Sequence, residues 1–271
     1  MNDMLQHRVI RVSVLVLVSG YLILPTLIVV WLSFGQDDFL RFPPNLFSWQ
    51  WYTEFLTDEH WNEATLRTAI VGAMATGLTT IVGSAAAFAV ARTRLPGKQF
   101  VEALAIAPLV VPPIVLAAGG YSLYLDLGLI GSSFGLAVMH AVLGVPYVFL
   151  IVSAALTRTD PNVELAALSL GADRWRTMWD VTIPTNMPSI LTGALFAFLV
   201  SFDEVVVTVF LAGTLGPTLP VRVFASLSFA VSPVVAAVSA LQILVALVLL
   251  AQLGLLKRWQ VKRTQAVPAV G

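Results

Sequence analysis

Six apolar segments of about 20 residues or more recur along this chain of 271 residues. A helix needs about 20 mostly apolar residues to cross the hydrocarbon core of a bilayer. These segments are too long, and alternate too little, for membrane strands. The sequence therefore predicts an all-α polytopic membrane protein whose residues 1–271 form a single transmembrane domain. The six predicted spans are residues 10–34, 64–90, 100–125, 136–156, 188–212 and 233–256.

The composition agrees with a membrane protein and excludes several other classes. Only 11% of the residues are charged, against about 25% in soluble domains. The 15 basic and 15 acidic residues balance, so bulk charge gives no reason to expect nucleic-acid binding. The absence of cysteine excludes disulfides, thiolate catalysis and Cys-ligated metals. The three histidines are scattered, so we expect no metal site.

The basic residues predict which way the spans face. Twelve of the 15 Lys and Arg residues fall at the start of span one, between spans two and three, between spans four and five, or after span six. Basic loops are enriched on the cytoplasmic side, so both termini are predicted to be cytoplasmic. Arg8 and Arg11 precede an apolar run as in a signal peptide, but this run is too long and no clear cleavage site follows. We therefore expect an uncleaved anchor.

The predicted outer segment, residues 35–63, combines six acidic residues with Trp49, Trp51, Tyr52 and Trp61. Such a segment is typical of an aromatic belt at the membrane interface beside a solvated acidic loop. The alternative interpretation is a docking surface for an extracytoplasmic partner.

Two spans carry cues about packing. Ala73 with Gly77, and Gly83 with Ala87, have the small-xxx-small spacing that lets helices approach closely in lipid. Span three contains Pro108, Pro112 and Pro113, which remove backbone donors and predict a kinked or locally unwound helix. Unwound backbone in a membrane must be covered by protein or line a cavity. A transport pathway and a purely structural kink both remain open at this point.

The predicted cytoplasmic loop, residues 158–187, begins with signals for a short helix. Asp160 is a good N-cap, and Pro161 suits the first helical position. Glu164 lies in the first turn, where the helix dipole favours a carboxylate, and Gly171 is a natural stop. A helix over residues 161–170 follows from this pattern.

A second helix is predicted to begin near Asp173 in the same loop. Its residues Trp175, Met178, Trp179 and Thr182 share one largely apolar face. Pro184 and Pro188 are expected to end it before span five. A short exposed helix attached to spans on both sides suits a mechanical contact, although a solvated connector would have the same pattern.

Here the sequence resembles a family. Leu165-Ala166-Ala167, three residues, Gly171, nine residues and then Val181-Thr-Ile-Pro184 is similar to the EAA loop of permease subunits of binding-protein-dependent ABC importers. Two positions depart from the family pattern, since its Glu falls on Leu165 and its Ile-x-Leu has become Val-x-Ile. Glu164 lies one residue earlier, about 100° away around a helix. The segment 92–98 and the proline-rich span three also resemble this family.

The resemblance implies a fold, a localisation and a set of partners. It implies the type I importer permease fold in a bacterial inner membrane and a coupling helix that docks on a dimer of ATPase subunits. It further implies a second permease, identical or homologous, and an extracytoplasmic binding protein. No cofactor is expected on this chain, since ATP and Mg²⁺ would bind the ATPase. The implied coupling residues are Glu164, Leu165, Ala166, Ala167, Gly171, Ala172 and Pro184.

Span five contains acidic residues where charge is costly. An Asp at the centre of a spanning helix costs roughly 2.5–3.5 kcal/mol on insertion scales, so Asp203 and Glu204 need a compensating environment. In a continuous helix Ser201, Glu204 and Thr208 share one stripe, which favours Glu204 for a pathway. This segment is similar to the spermidine/putrescine branch, which implies that Ser201, Asp203, Glu204 and Thr208 line a substrate pathway. The alternative is that one acid pairs with an arginine or caps broken backbone in the sister subunit.

The sequence predicts no enzyme. Gly97-Lys98 is followed by Gln99 and lacks the first glycine of an ATP-binding P-loop, and no dinucleotide or nucleophile-elbow motif occurs.

The favoured hypothesis is a permease subunit that imports polyamines or a similar small amine. Alternatives are a permease for an aminophosphonate, opine or iron-type cargo, or a stand-alone membrane protein. His140 is expected to bond between helices rather than to bind a ligand.

Overall fold

The computed structural model describes residues 2–93, 96–229 and 232–265, and helices account for most of them. Arg94 and Leu95, which belong to the predicted basic loop, lie outside the described residues. The helices are α1 Asn2–Leu32, α2 Gln50–Thr57, α3 Glu59–Arg92, α4 Lys98–Val110, α5 Pro113–Asp126, α6 Ser133–Arg158, α7 Pro161–Ser169, α8 Arg174–Thr177, α9 Ile183–Phe202, α10 Val206–Leu211, α11 Leu219–Phe229 and α12 Val234–Gln265.

Five helical stretches in the described residues are long and apolar enough to cross a membrane, and the count is six if one bent pair of helices forms a single span. Helices α1, α3, α6 and α12 correspond to predicted spans one, two, four and six. Predicted span three is the pair α4 and α5, which are bent by 109°. Its prolines predicted this break, because Pro112 and Pro113 cannot donate the hydrogen bonds that would continue α4.

The predicted end of the second loop helix at Pro184 and Pro188 is wrong. The helical stretch runs from Arg174 to Phe202 without interruption. A π-helical turn, Met178–Thr182, lies directly before Pro184, and the Ile183 amide donates to the Met178 carbonyl. Pro184 has no N–H and cannot make an α-helical hydrogen bond. The π-helical turn lies at this position, so the helix continues although this bond is missing.

The chain divides into two compact units, of which the first is Met1–Asn62 with Val223–Val245. Within it, Trp51 Nε1 donates to the Gly35 carbonyl at 2.7 Å, and the Ser33 and Tyr52 hydroxyls lie 2.6 Å apart. Trp51 and Trp61 are buried, so the predicted interfacial belt is wrong for these two residues. That residues 1–271 act as one permease domain stays a prediction.

The second unit is Glu63–Arg222 with Ala246–Gly271, and α6 lies at its centre. Thirteen of the 26 residues of α6 are buried. The first half of α6 packs with α3, α5 and α10, and its second half packs with α3, α4 and α9. This central helix therefore positions the elements that surround the candidate site.

Glycines allow α3, α6 and α9 to approach closely. A Cβ on Gly83 would lie 2.8 Å from the Val148 side chain, and one on Gly193 would lie 3.1 Å from the Val148 backbone. The predicted close packing through Gly83 and the buried Ala87 is confirmed. Packing within the chain through Ala73 and Gly77 is wrong, because both are exposed.

We predict that Gly83→Val destabilises the protein by about 1–3 kcal/mol, because the added side chain overpacks the contact with Val148. Gly77→Val is the matched control, since it lies on the same helix and its Cβ would meet nothing within 4 Å. Thermal unfolding of the two variants in detergent measures the difference. Equal unfolding temperatures would contradict the tight α3–α6 contact.

Candidate functional site

The helix that contains the span-five acids is broken. Helix α9 ends at Phe202 and α10 begins at Val206. Glu204 Oε1 accepts a hydrogen bond of 2.8 Å from the Val207 amide, which satisfies one of the free donors at the start of α10. The predicted continuous helix over residues 188–212 is therefore wrong near its C-terminal end, and the helical stripe of Ser201, Glu204 and Thr208 is interrupted at residues 203–205.

The two broken spans meet at one cavity of about 380 Å³. Residues of the break between α4 and α5 form one wall, and Glu204 lines the cavity from the break between α9 and α10. Glu204 is the one charged residue in this lining. The lining residues are Pro108, Leu109, Val110, Val111, Pro112, Pro113, Leu143, Tyr147, Val200 and Glu204.

The α4–α5 break also leaves backbone acceptors beside the cavity. Pro112 and Pro113 have no N–H, so the Pro108 and Leu109 carbonyls lack the donors that would satisfy them in a continuous helix. Val111 still donates to the Ala107 carbonyl at 3.1 Å. Free carbonyls and a carboxylate both favour cations, so the arrangement suits a ligand that carries positive charge and hydrogen-bond donors.

Ser201 and Thr208 have a different environment from Glu204. Both are buried, and their hydroxyls contact the two ring nitrogens of buried His140, at 2.8 Å for Ser201 and 3.0 Å for Thr208. His140 on α6 thereby connects the ends of α9 and α10, which confirms the predicted bonding between helices. The structure shows that these two hydroxyls contact His140. Their contact with substrate stays a prediction.

Asp203 and Glu204 are not equivalent. The Asp203 side chain is exposed and is absent from the cavity lining, whereas Glu204 is half-buried and lines it. The structure therefore brings one of the four candidate pathway residues to the cavity. Leu143 and Tyr147 also line it, and no local sequence signal marks them, because their position depends on the packing of α6.

The second part of the candidate site is the loop helix α7. Asp160 accepts a hydrogen bond from the Asn162 amide at 2.9 Å, and the helix ends one residue before the predicted Leu170. The Gly171 amide donates to Leu168, and the Ala172 amide donates to Ala167, which is the Schellman arrangement. Gly171 has φ +93°, so the predicted stop at glycine is confirmed.

Glu164 makes a contact that links α7 to the membrane helices. Arg92, the last residue of α3, donates from Nε to Glu164 Oε1 at 2.8 Å. Its Nη2 donates to the Leu156 carbonyl at 2.9 Å and contacts the Thr159 carbonyl at 3.5 Å. Sequence reasoning placed Arg92 in a basic loop but missed this pair, because the residues are far apart in the sequence.

The remaining coupling-loop residues form an exposed surface. Helix α7 has no buried residue, Leu165 is 56% exposed, and Ala166 is exposed. Ala167 and Ala172 are half-buried, and Pro184 is exposed in the first turn of α9. Trp175 and Trp179 are also exposed and lie edge to face with ring centroids 5.8 Å apart.

A second cavity of about 430 Å³ lies at the same end of the bundle as α7. Arg92 and Lys98 contribute positive charge to its lining, and Glu102 contributes negative charge. Glu102 therefore faces a polar recess at the start of α4, which allows a charged side chain near the end of a span.

Comparisons with known proteins identify the family of this chain. The family described as "Binding-protein-dependent transport system inner membrane component" matches residues 79–264. The spermidine/putrescine transport system permease protein PotC of Haemophilus influenzae is 30% identical over 246 residues, which cover 90% of this chain and 95% of that protein. The putrescine transport system permease protein PotI of Escherichia coli is 30% identical over 241 residues, or 85% of this chain and 84% of that protein.

Solved structures share the fold. A chain of the bacterial alginate ABC transporter, in complex with an alginate pentasaccharide-bound periplasmic protein, aligns with a TM-score of 0.71 at 14% identity and covers 93% of this chain and 94% of that chain. An amino acid ABC transporter aligns with a TM-score of 0.58 at 19% identity, covering 79% and 99%. This chain therefore belongs to the binding-protein-dependent transport system inner membrane component family, and it is a multi-pass inner-membrane permease subunit of an ABC importer, not an enzyme.

Proposed function

We propose that this permease imports polyamines of the spermidine and putrescine type, and that Glu204 contacts the cation on its way through the membrane. The proposal depends on one observation: Glu204 lines a cavity that lies where two spans are broken. The names of the two relatives, PotC and PotI, support the same substrate class.

The chemistry of the cavity fits a flexible polycation. A polyamine loses water from each ammonium group when it enters the membrane, and this loss must be compensated. The Glu204 carboxylate supplies charge, and the Pro108 and Leu109 carbonyls supply acceptors without a helical donor. The apolar residues of the lining suit the methylene groups between the nitrogens.

Transport requires partners that supply energy and capture substrate. In the proposed assembly, the α7 end faces the cytoplasm and docks through Leu165 and Ala166 on one subunit of an ATPase dimer, which binds ATP and Mg²⁺. A second permease, identical or homologous, completes the pathway, and an extracytoplasmic binding protein delivers the amine. The exposed α7 and its Schellman end support this docking role.

We predict that Glu204→Gln lowers spermidine and putrescine uptake at limiting substrate by about tenfold or more, the scale of one lost hydrogen bond to a charged group. The glutamine carbonyl can still accept from the Val207 amide, so the start of α10 keeps its cap while the charge is lost. Uptake of radiolabelled amines by cells with the complete system measures the effect.

Asp203→Asn is the matched control, because it removes the neighbouring charge from a side chain outside the cavity lining. His140→Ala provides a structural comparison that should lower thermal stability, since it removes the ring nitrogens that the buried Ser201 and Thr208 hydroxyls contact. Full uptake in Glu204→Gln would reject the role of Glu204. No uptake of either amine by the wild-type system would reject the polyamine assignment.

We also predict that Gly171→Val reduces the ATPase subunit that co-purifies with the permease several-fold. The positive φ of Gly171 strains a β-branched residue, although a Cβ there would meet nothing within 4 Å. Gly171→Asn is the control, because asparagine tolerates positive φ better at a similar size. Subunit stoichiometry after purification in detergent is the measurement. Equal stoichiometry in the two variants would show that the Schellman end is dispensable for docking.

A further inference from the structure

The contacts of Arg92 join three helices at the α7 end of the bundle. The guanidinium belongs to α3, holds Glu164 in the first turn of α7 and donates to the carbonyls at the end of α6. The Arg92 and Glu164 side chains are only 21% and 17% exposed, so water screens the pair less than a surface pair. The cation also lies where the α6 dipole favours positive charge.

The side chains of the neighbouring residues Glu164 and Leu165 point in different directions. Leu165 is exposed and available to the ATPase, whereas Glu164 turns towards its own chain and Arg92. Because α7 has no fully buried residue and only Ala167 of its apolar residues is half-buried, apolar burial contributes little to its attachment. The ion pair is therefore a specific connection between α7 and a membrane helix.

Helix α3 continues this connection to the opposite end of the unit. Arg67 Nη1 donates to the Pro217 carbonyl at 3.0 Å, and Thr68 Oγ1 accepts from the Leu219 amide at 2.7 Å. Residues 68 and 92 are separated by about 36 Å of helix. No proline interrupts α3, and Gly83 packs it tightly on α6, so the helix can act as a rigid link.

We propose that Arg92 and Glu164 are positioning residues that make α7 and α3 move together when the ATPase changes conformation. Displacement of α7 is then passed through α3 to the segment 216–219, which α3 holds at its other end. This inference depends on the proposed docking of α7 to the ATPase. A lysine at position 92 would keep the charge but not the planar fork that serves Glu164 and the α6 carbonyls together.

The absence of cysteine allows a direct test with paired spin labels on the complete importer. Labels at Asn162→Cys on α7 and Ile81→Cys on α3 occupy exposed positions. Their distance distribution is measured by pulsed electron paramagnetic resonance without nucleotide and with ATP and Mg²⁺. Singly labelled proteins identify distances between copies of the chain.

We expect the wild-type distance to stay constant between the two states, and we expect Glu164→Gln and Arg92→Lys to show a nucleotide-dependent shift or broadening. Arg158→Gln is the control, because Arg158 is an exposed basic residue at the end of α6. A wild-type distance that changes as much as in Glu164→Gln, or a Glu164→Gln distance that stays constant, would overturn the proposal.

A functional measurement separates coupling from simple stability. In proteoliposomes, Glu164→Gln should transport roughly tenfold less spermidine per ATP hydrolysed, as expected for one lost charge-assisted contact, with unchanged ATPase co-purification. A merely structural role would lower uptake and ATP hydrolysis together and leave their ratio unchanged, which would overturn the inference. Loss of ATPase binding by the wild-type chain would instead reject the docking on which the inference depends.

Discussion

A helix that breaks inside a bilayer leaves backbone donors and acceptors that lipid cannot satisfy, and this constraint organises the second unit of the protein. Two spans break, one at Pro112 and Pro113 and the other after Phe202. Glu204 satisfies the α10 amide that the second break exposes. The residues of the first break line the same cavity as Glu204. Broken backbone and a carboxylate thus create a polar site among apolar helices.

A different constraint applies at the α7 end of the unit, where an exposed helix must remain attached to the membrane-spanning helices. Helix α7 has no fully buried residue, so hydrophobic packing contributes little to holding it. The Schellman end at Gly171 determines where it stops, and the Arg92–Glu164 pair attaches it to α3. A docking surface can remain accessible to a partner while its position relative to the membrane helices is controlled.

Local chemistry explains which sequence predictions succeeded. The Asp160 cap, the Gly171 stop and the α4–α5 break depend on neighbouring residues, and each is present. The predicted stop at Pro184 is wrong because a π-turn accommodates the proline. The predicted continuous helix of span five is wrong because Glu204 caps a new helix, α10. No proline or glycine near residues 203–205 predicts this break. The Arg92–Glu164 pair was missed because it depends on tertiary contact.

Sequence alone determined the membrane class, the approximate spans, the family resemblance and the acidic residues of span five. These follow from long apolar runs, residue spacing and the cost of burying charge, all of which are properties of short segments. Only the tertiary structure decided that Glu204 faces a cavity, that Ser201 and Thr208 contact His140, and that Glu164 pairs with Arg92. These outcomes depend on where separate helices meet, and helix packing is set by side-chain shape across the whole bundle.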